Sequence, residues 1–320
     1  MPLVVAHGPL LDQIVDLTYP IWNEGLTRRA YAQWNAAQMG TSWGREHLAR
    51  VALVDDAGAL LATAKRYQFR VTLDGREARA VGIGAVFTPD PLRHRGHASR
   101  LIELLVDEAT TRGDALAILF SEIDPAFYER RLFRQVPMDQ VRIVVDEKRG
   151  GAPAILVRSG HESDLPALAA MHDVRMAPAR FALKREPSLI QFMLARTRLL
   201  AGLGAAGRRQ LEFHVVEEGA SAVAYAVLLV DANGWTLTEA GDRDPAGARL
   251  GALFQVLIAR EPSQQRPIIR AWWPRAFAVP PQLQLIDRQN AGDVLMVRPL
   301  NGTPPPRSAD DVFFWRGDFF

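Results

Sequence analysis

The sequence predicts an α/β protein built on mixed sheets and divided into two domains in tandem. Three observations lead there. The chain has 320 residues, more than one small core organises, since domains commonly hold about 100–200 residues. A run of strand-like segments gives way to strands alternating with helices, which is the order of an α/β domain with a mixed sheet. The order of elements then starts again after EKRGGAP, residues 147–153, a charged and turn-rich stretch. The expected domains are therefore 1–147 and 148–320.

Each element follows from local pattern. Residues 8–38 return apolar side chains at helical spacing, interrupted by Pro20 and Gly25, so two short helices are expected. The period then changes. Residues 50–54 and 60–67 read as strands joined through DDAG, with a continuation over 69–73. AVGIGAVF, residues 80–87, is small and apolar enough for a buried strand. Residues 101–112 form a helix closed by Gly113, followed by a strand over 115–120, a short helix over 125–131 and a strand over 136–145. In the second half a strand is expected at 155–158, a helix capped by Asp164, and a hairpin over 211–230 around EEGAS. A strand at 234–240, a helix at 246–260 and strands at 267–273 and 294–299 complete it.

Composition narrows the function. Hydrophobic residues make up 48% and charged ones 23%, as in a globular protein with a real core. Lys and Arg total 38 against 36 Asp and Glu, a formal charge of +2, which argues against broad non-specific nucleic-acid binding. There is no cysteine, hence no disulfide, thiolate metal site or cysteine nucleophile. The opening MPLVVAHGPLLDQIVDL has no Lys or Arg before its apolar residues, and Asp12 and Asp16 interrupt them. Neither a signal peptide nor a membrane span is expected, and the cytoplasm is the expected location.

The chemistry concentrates at PLRHRGHASR, residues 91–100, between a buried strand and a helix start. Free backbone N–H groups and the positive dipole end of a helix suit a pyrophosphate, and glycine permits close approach. The spacing is neither GxGxxG nor a P-loop. His94 and His97 lack a third ligand within sequence reach, so no metal is expected. A nucleic-acid role for RHRGHASR would need flanking stacking aromatics, and only Phe87 flanks it.

With SEIDPAFYERRLF at residues 121–133, the segment resembles motifs A and B of the GNAT superfamily of N-acetyltransferases. GIGAVFTPDPLRHRGHAS and SEIDPAFYERRLF are similar to the Eis-like branch, in which two GNAT folds follow each other. The motif match covers residues 82–133, and the sterol-carrier-like third domain of that branch has no counterpart in this sequence. The resemblance implies acetyl-CoA as co-substrate. Ala85, Val86 and Phe87 would meet its pantetheine arm, and Arg93, His94, Arg95, Gly96, His97, Ala98 and Ser99 would wrap its pyrophosphate, mainly through amides. Tyr128 would be the acid that protonates the departing thiolate, a role a phenol can fill at neutral pH. Leu132 stands where the family has glycine.

The base is less determined, because AVGIGAVF contains no acidic residue. Glu122 and Asp124 are candidates, and so is the carboxylate of Phe320, since in Eis-like enzymes the terminal carboxylate reaches the active site. The aromatic tail that carries Phe320 is expected to dock. Trp22, Glu24 and Trp34 of the N-terminal helices are placed by the resemblance near the acceptor. In the second half, EAGDRDPAGA carries Asp242 and Asp244 but no R-x-x-G-x-G/A, so that domain is expected to be a degenerate copy. Trp272 and Trp273 are expected in its core, with a substrate wall as the alternative. The implied function is direct transfer of an acetyl group from acetyl-CoA to a small-molecule or protein amine in a ternary complex, with a non-catalytic acyl-CoA-binding regulatory module as the alternative. No nucleic acid or membrane partner is expected, and the oligomeric state is open.

Overall fold

The computed structural model describes residues 1–123 and 125–320. They form two compact units: residues 1–136, 292–307 and 320, and residues 137–291 with 308–319. The division thus falls at 136/137, eleven residues before the expected 147/148, and the second half returns a segment to the first unit. Pro137 explains the earlier break. It cannot donate to a ladder, so the strand expected over 136–145 becomes two, one in each unit.

The first unit opens with β1 (Leu3–Val5), α1 (Gly8–Trp22), α2 (Arg28–Gly40) and α3 (Ser42–His47). The helix α1 runs through Pro20, which lies in its last turn, and Thr27 caps α2 by accepting the Ala30 N–H at 3.2 Å. Next come β2 (Leu48–Val54), β3 (Leu60–Leu73) and β4 (Arg76–Phe87). Asp74 and Gly75, both at positive φ, make the two-residue turn of the β3–β4 hairpin. Then follow α4 (His97–Arg112), β5 (Leu116–Ser121), α5 (Ala126–Glu129) and β6 (Arg134–Val136). The sheet order is β1-β2-β3-β4-β5, then a strand from residues 294–299, then β6; β4 and β5 are parallel.

One face of this sheet is covered by α4. Leu101, Ile102, Leu105, Val106 and Ala109 recur at helical spacing and pack on Val51, Val81, Ile83, Ala117 and Leu119. Full burial of such a Leu, Ile or Val contributes about 1.5–3 kcal/mol. Toward β1 and β2, the other face packs Ile14 of α1 against Ala52, Val54 and Leu60. Because side chains alternate along a strand, Thr63, Lys65, Tyr67 and Phe69 of β3, Gly82 and Gly84 of β4 and the even positions of β5 share this second face.

The second unit contains β7 (Asp139–Val145), β8 (Leu156–Ser159), α6 (Leu165–Met176), β9 (Phe181–Leu183), α7 (Pro187–Leu203), β10 (Arg209–Glu218) and β11 (Ser221–Asp231). It continues with β12 (Gly234–Asp242), α8 (Ala248–Ala259), β13 (Ile269–Trp272) and β14 (Leu283–Asn290). After β15 (Val294–Pro299), the strand given to the first unit, β16 (Val312–Phe313) pairs in parallel with β9. The second sheet runs β14-β7-β13-β12-β11-β10-β8, with only β12 and β13 parallel within it. The crossover β12-α8-β13 therefore repeats β4-α4-β5. Asp164 departs from the expected cap of α6. Its carboxylate accepts the His161 N–H at 2.8 Å and pairs with Arg158 at 2.7 Å instead.

Candidate active site

The site begins where two parallel strands part. β4 and β5 pair only over Ala80–Gly82 and Leu116–Ile118, as Ala80↔Leu116, Val81↔Ala117 and Gly82↔Ile118. A bulge follows directly: Gly84 opposes Lys65 and Phe87 opposes Thr63, leaving Ala85 and Val86 opposite Ala64. Ala85 has φ +47°, uncommon for a residue with a Cβ. The three residues expected to meet a pantetheine arm, Ala85, Val86 and Phe87, thus lie on the bulged end of β4.

A short turn, Asp90–Leu92, then leads to α4. Gly96 is its N-cap residue, left-handed at φ +84° with nothing within 4 Å of where a Cβ would stand. No side chain caps this end, so first-turn N–H groups of His97, Ala98 and Ser99 are presented as a helix end presents them to an anion. That arrangement fits a pyrophosphate. His94 is also left-handed, at φ +62°. Arg93 is paired with Asp90 at 2.7 Å, and both are exposed; Arg95 is exposed as well. Sequence reasoning missed Arg131, whose guanidinium lies 3.9 Å over the Phe127 ring and donates to Ser99 Oγ. It ties the helix end to the segment that carries Tyr128. Its signal was the doubled arginine of FYERRLF.

Tyr128 lies on α5, 7% exposed. Phe127 and Phe133 meet its ring edge-on, at 4.9 and 6.1 Å. Burial pushes its phenol up to about 12; the nearby Arg131 charge pulls it down and the Glu122 carboxylate adds to the rise. Glu122 is therefore an electrostatic neighbour of Tyr128 and is itself exposed. Asp124 lies outside the described residues. Leu132 occupies the family's glycine position with φ +64°, so the bend that a glycine would make is made here by a strained leucine.

Phe320 rests on the face opposite α4, at the parting of the strands. Its ring centroid is 4.9 Å from those of Tyr67 and Phe69 and 5.3 Å from Phe120. Two glycines make the room. A Cβ on Gly82 would stand 2.5 Å from Phe69 Cε2 and 2.9 Å from Phe320 Cε2, and one on Gly84 would stand 3.2 Å from the Phe320 oxygen. Of the N-terminal aromatics, Trp22 meets Phe87 edge-on at 6.5 Å, and Trp34 lies under Lys65 Nζ at 5.4 Å. Glu24 sits between the two helices with φ +54°.

The corresponding end of α8 in the second unit is built differently. Its N-cap, Gly247, is again left-handed at φ +71°, but carboxylates of the chain occupy the anion position. Asp242 accepts the Leu250 and Asp244 N–H groups at 2.8 Å each. Asp244 accepts those of Ala246 and Ala248 at 3.0 and 3.3 Å. Asp242 is 1% exposed, and burial raises its pKa. The chain's own carboxylates thus take amides that a second pyrophosphate would need. Trp272 and Trp273 are buried, the latter donating its indole N–H to the Phe277 carbonyl at 2.9 Å. Among the described residues no group of three His, Asp or Glu side chains is placed to hold a metal ion, and no helix is long and apolar enough to cross a membrane.

The strand parting, the bulge and the uncapped helix end lie within residues 19–135, which match the family model of the acetyltransferase (GNAT) domain. The first unit is a GNAT acetyltransferase domain. Solved structures extend the likeness of fold to both units. A GCN5-related N-acetyltransferase from Kribbella flavida superposes with TM-score 0.66 at 15% identity, covering 94% of this chain and 71% of that one. Eis1 from Mycobacterium abscessus superposes with TM-score 0.58 at 13% identity, over 94% and 74%. N-myristoyltransferase of Saccharomyces cerevisiae, solved with bound myristoyl-CoA, gives 0.52 at 10% identity, over 97% and 86%. No curated protein matches the chain. The architecture is that of two GNAT-like units in tandem, and the GNAT domain makes the protein an acyltransferase.

Proposed function

We propose that the protein moves an acetyl group from acetyl-CoA to an amine by direct transfer, with Tyr128 as acid and the Phe320 carboxylate as base. The observation that carries this reading is the parting of β4 from β5, beside an α4 helix end that no side chain caps. Bound acetyl-CoA supplies the thioester carbonyl and the leaving thiol. The residues to hold it are Ala85–Phe87 along the arm and the amides of residues 96–99 at the pyrophosphate, with Arg95 adding charge.

The chain's own groups then divide the proton work. An ammonium acceptor must lose a proton before it can attack. Phe320, whose carboxylate is the proposed base, lies beside Gly84, on the face that carries Tyr67, Phe69 and Phe120. Tyr128 keeps its proton, because burial holds the phenol neutral, and can give it to the departing thiolate. Glu122 keeps negative charge near that phenol and favours its protonated form.

The test is calorimetric binding of acetyl-CoA followed by a release assay for free CoA across an amine panel. One added glycine after Phe320 moves the carboxylate by about 3.8 Å. The expected result is a fall in kcat of at least about tenfold at little change in acetyl-CoA affinity. Unchanged turnover removes Phe320 from the base role. Failure to bind acetyl-CoA removes the whole reading. Binding without turnover of any amine would favour an acyl-CoA-binding regulatory module.

A further inference from the structure

Arg50 is a buried cation that the reaction outlined above does not use. It is the third residue of β2, faces the side opposite α4, and is 3% exposed. Its Nη1 donates to the Ala85 carbonyl at 3.2 Å, while its Nη2 is buried with no hydrogen-bond partner. No carboxylate among the described residues bonds to it. A guanidinium does not lose its charge in a protein, and burial of an unbalanced charge is costly. The nearest neighbour across the strands makes the imbalance larger. Arg50 is directly opposite Lys65 on β3, and like charges so paired repel. Lys65 Nζ reaches Gln38 Oε1 at 3.4 Å and lies over Trp34.

The two cations border a small cavity lined otherwise by Leu11, Val15, Asn35, Met39 and Leu48. The cavity is narrow, with free room for little more than one water-sized group, and Asn35 is the other polar side chain in its wall. Its position along the sheet connects it to the transfer site. Arg50, Lys65 and Gly84 form one row across β2, β3 and β4, and Gly84 is where Phe320 lies. The Arg50 side chain crosses this row, since its Nη1 is 3.2 Å from the Ala85 carbonyl, so the cavity adjoins the bulged end of β4. A carboxylate held there and an amine at the transfer site can belong to one small molecule.

We propose that Arg50, with Lys65, binds the carboxylate of the acceptor, so that the amine acetylated belongs to an aminocarboxylate and not to a polyamine. This rests on the transfer reading above. The guanidinium offers a planar pair of donors matched to a carboxylate, and its orphaned Nη2 supplies the bond that the protein itself leaves unmade. A polyamine would bring further positive charge to a row already holding two cations. Specificity then comes as much from repulsion as from attraction.

The experiment compares amines that differ only in the carboxylate, such as 5-aminopentanoate against butylamine and lysine against cadaverine, by CoA release. For wild type the aminocarboxylate is expected to lead by at least tenfold in kcat/KM. In Arg50→Met the lead collapses, mainly through KM, and Arg50→Lys restores part of it. Melting curves monitor folding; should Arg50→Met not fold, the wild-type preference alone decides. Equal or faster turnover of the amines without carboxylate overturns the proposal, as does a preference that survives Arg50→Met. If no amine is turned over, the transfer reading fails, and calorimetry with N-acetyl-5-aminopentanoate decides the anion site separately. Saturable binding lost in Arg50→Met supports it, and absence of binding overturns it.

Discussion

Tyr128 and Leu132, four positions apart, show opposite uses of one short segment. The phenol is held neutral by burial, which pushes its pKa up to about 12, so across the neutral range it keeps its proton. Tyr128→Phe keeps the ring packing and deletes the proton. Its expected effect is a loss of about 10²-fold or more in kcat, with KM for acetyl-CoA changed little. Steady-state CoA release reads both. Leu132 pays in backbone strain at φ +64° while its side chain is 68% exposed. A left-handed non-glycine residue costs roughly 1–2 kcal/mol, and glycine's extra chain entropy returns about half of that. Leu132→Gly is therefore expected to raise stability by up to about 1 kcal/mol, seen as a higher urea midpoint.

At the scale of elements, His172 on α6 is a group whose charge state ties stability to pH. It is fully enclosed, donates Nε2–H to the Leu183 carbonyl at 3.1 Å and meets Phe313 edge-on. Burial, reinforced by Arg185, drives its pKa well below 6.5. The unfolded chain then binds a proton below about pH 6.5 that the folded chain refuses, so stability falls as pH drops through that value, by at most about 1.4 kcal/mol per pH unit. His172→Gln is expected to be less stable at pH 7 but to lose this slope between pH 6.5 and 5, measured by urea melts at several pH values.

The elements also show what local pattern can and cannot reveal. AVGIGAVF, the α4 periodicity and its closing Gly113 were legible, because strand burial and helix spacing are written in neighbours along the chain. The helix α7 was not read: PSLIQFMLARTRLLAGL is apolar nearly all round, so it lacks the polar stripe that announces a surface helix. In the site, the helix start at Gly96 was legible from spacing. Arg50 was not, since a lone arginine at the start of RVALV gives no sign of its burial. What makes it unusual is its neighbour across β3 and the bulge at Ala85, and such pairings are invisible until strands are in register.

For the whole molecule, the main departure from expectation is β15. It lies between β5 and β6, pairing Val294–Pro299 with Ser121–Leu116 on one side and Leu295–Val297 with Val136–Arg134 on the other. Leu295, Met296 and Val297 are each fully buried. Residues 1–147 alone thus lack an interior strand of their own sheet. That fragment is expected to be insoluble or molten, while residues 1–136 joined by a linker to 292–307 recover native near-ultraviolet dichroism. Dichroism and size-exclusion chromatography distinguish the outcomes. The second unit has its own lock: Arg185, with no exposed side-chain surface, pairs with Glu239 at 2.5 Å and Asp318 at 2.7 Å. Breaking a buried pair of this kind costs about 3–5 kcal/mol, so Asp318→Ala is expected to lower the melting temperature sharply, read by calorimetry.

The placement of β15 also orders events at the ribosome. Synthesis runs from the N-terminus at about 5–20 residues per second, so residues 1–136 emerge long before residues 294–299 exist. Until then β5 and β6 have bare edges, the kind of template that captures other strands. The part of the protein made first must wait for one of the last segments to be made, and its need for a chaperone during translation is greatest while the second unit is being made.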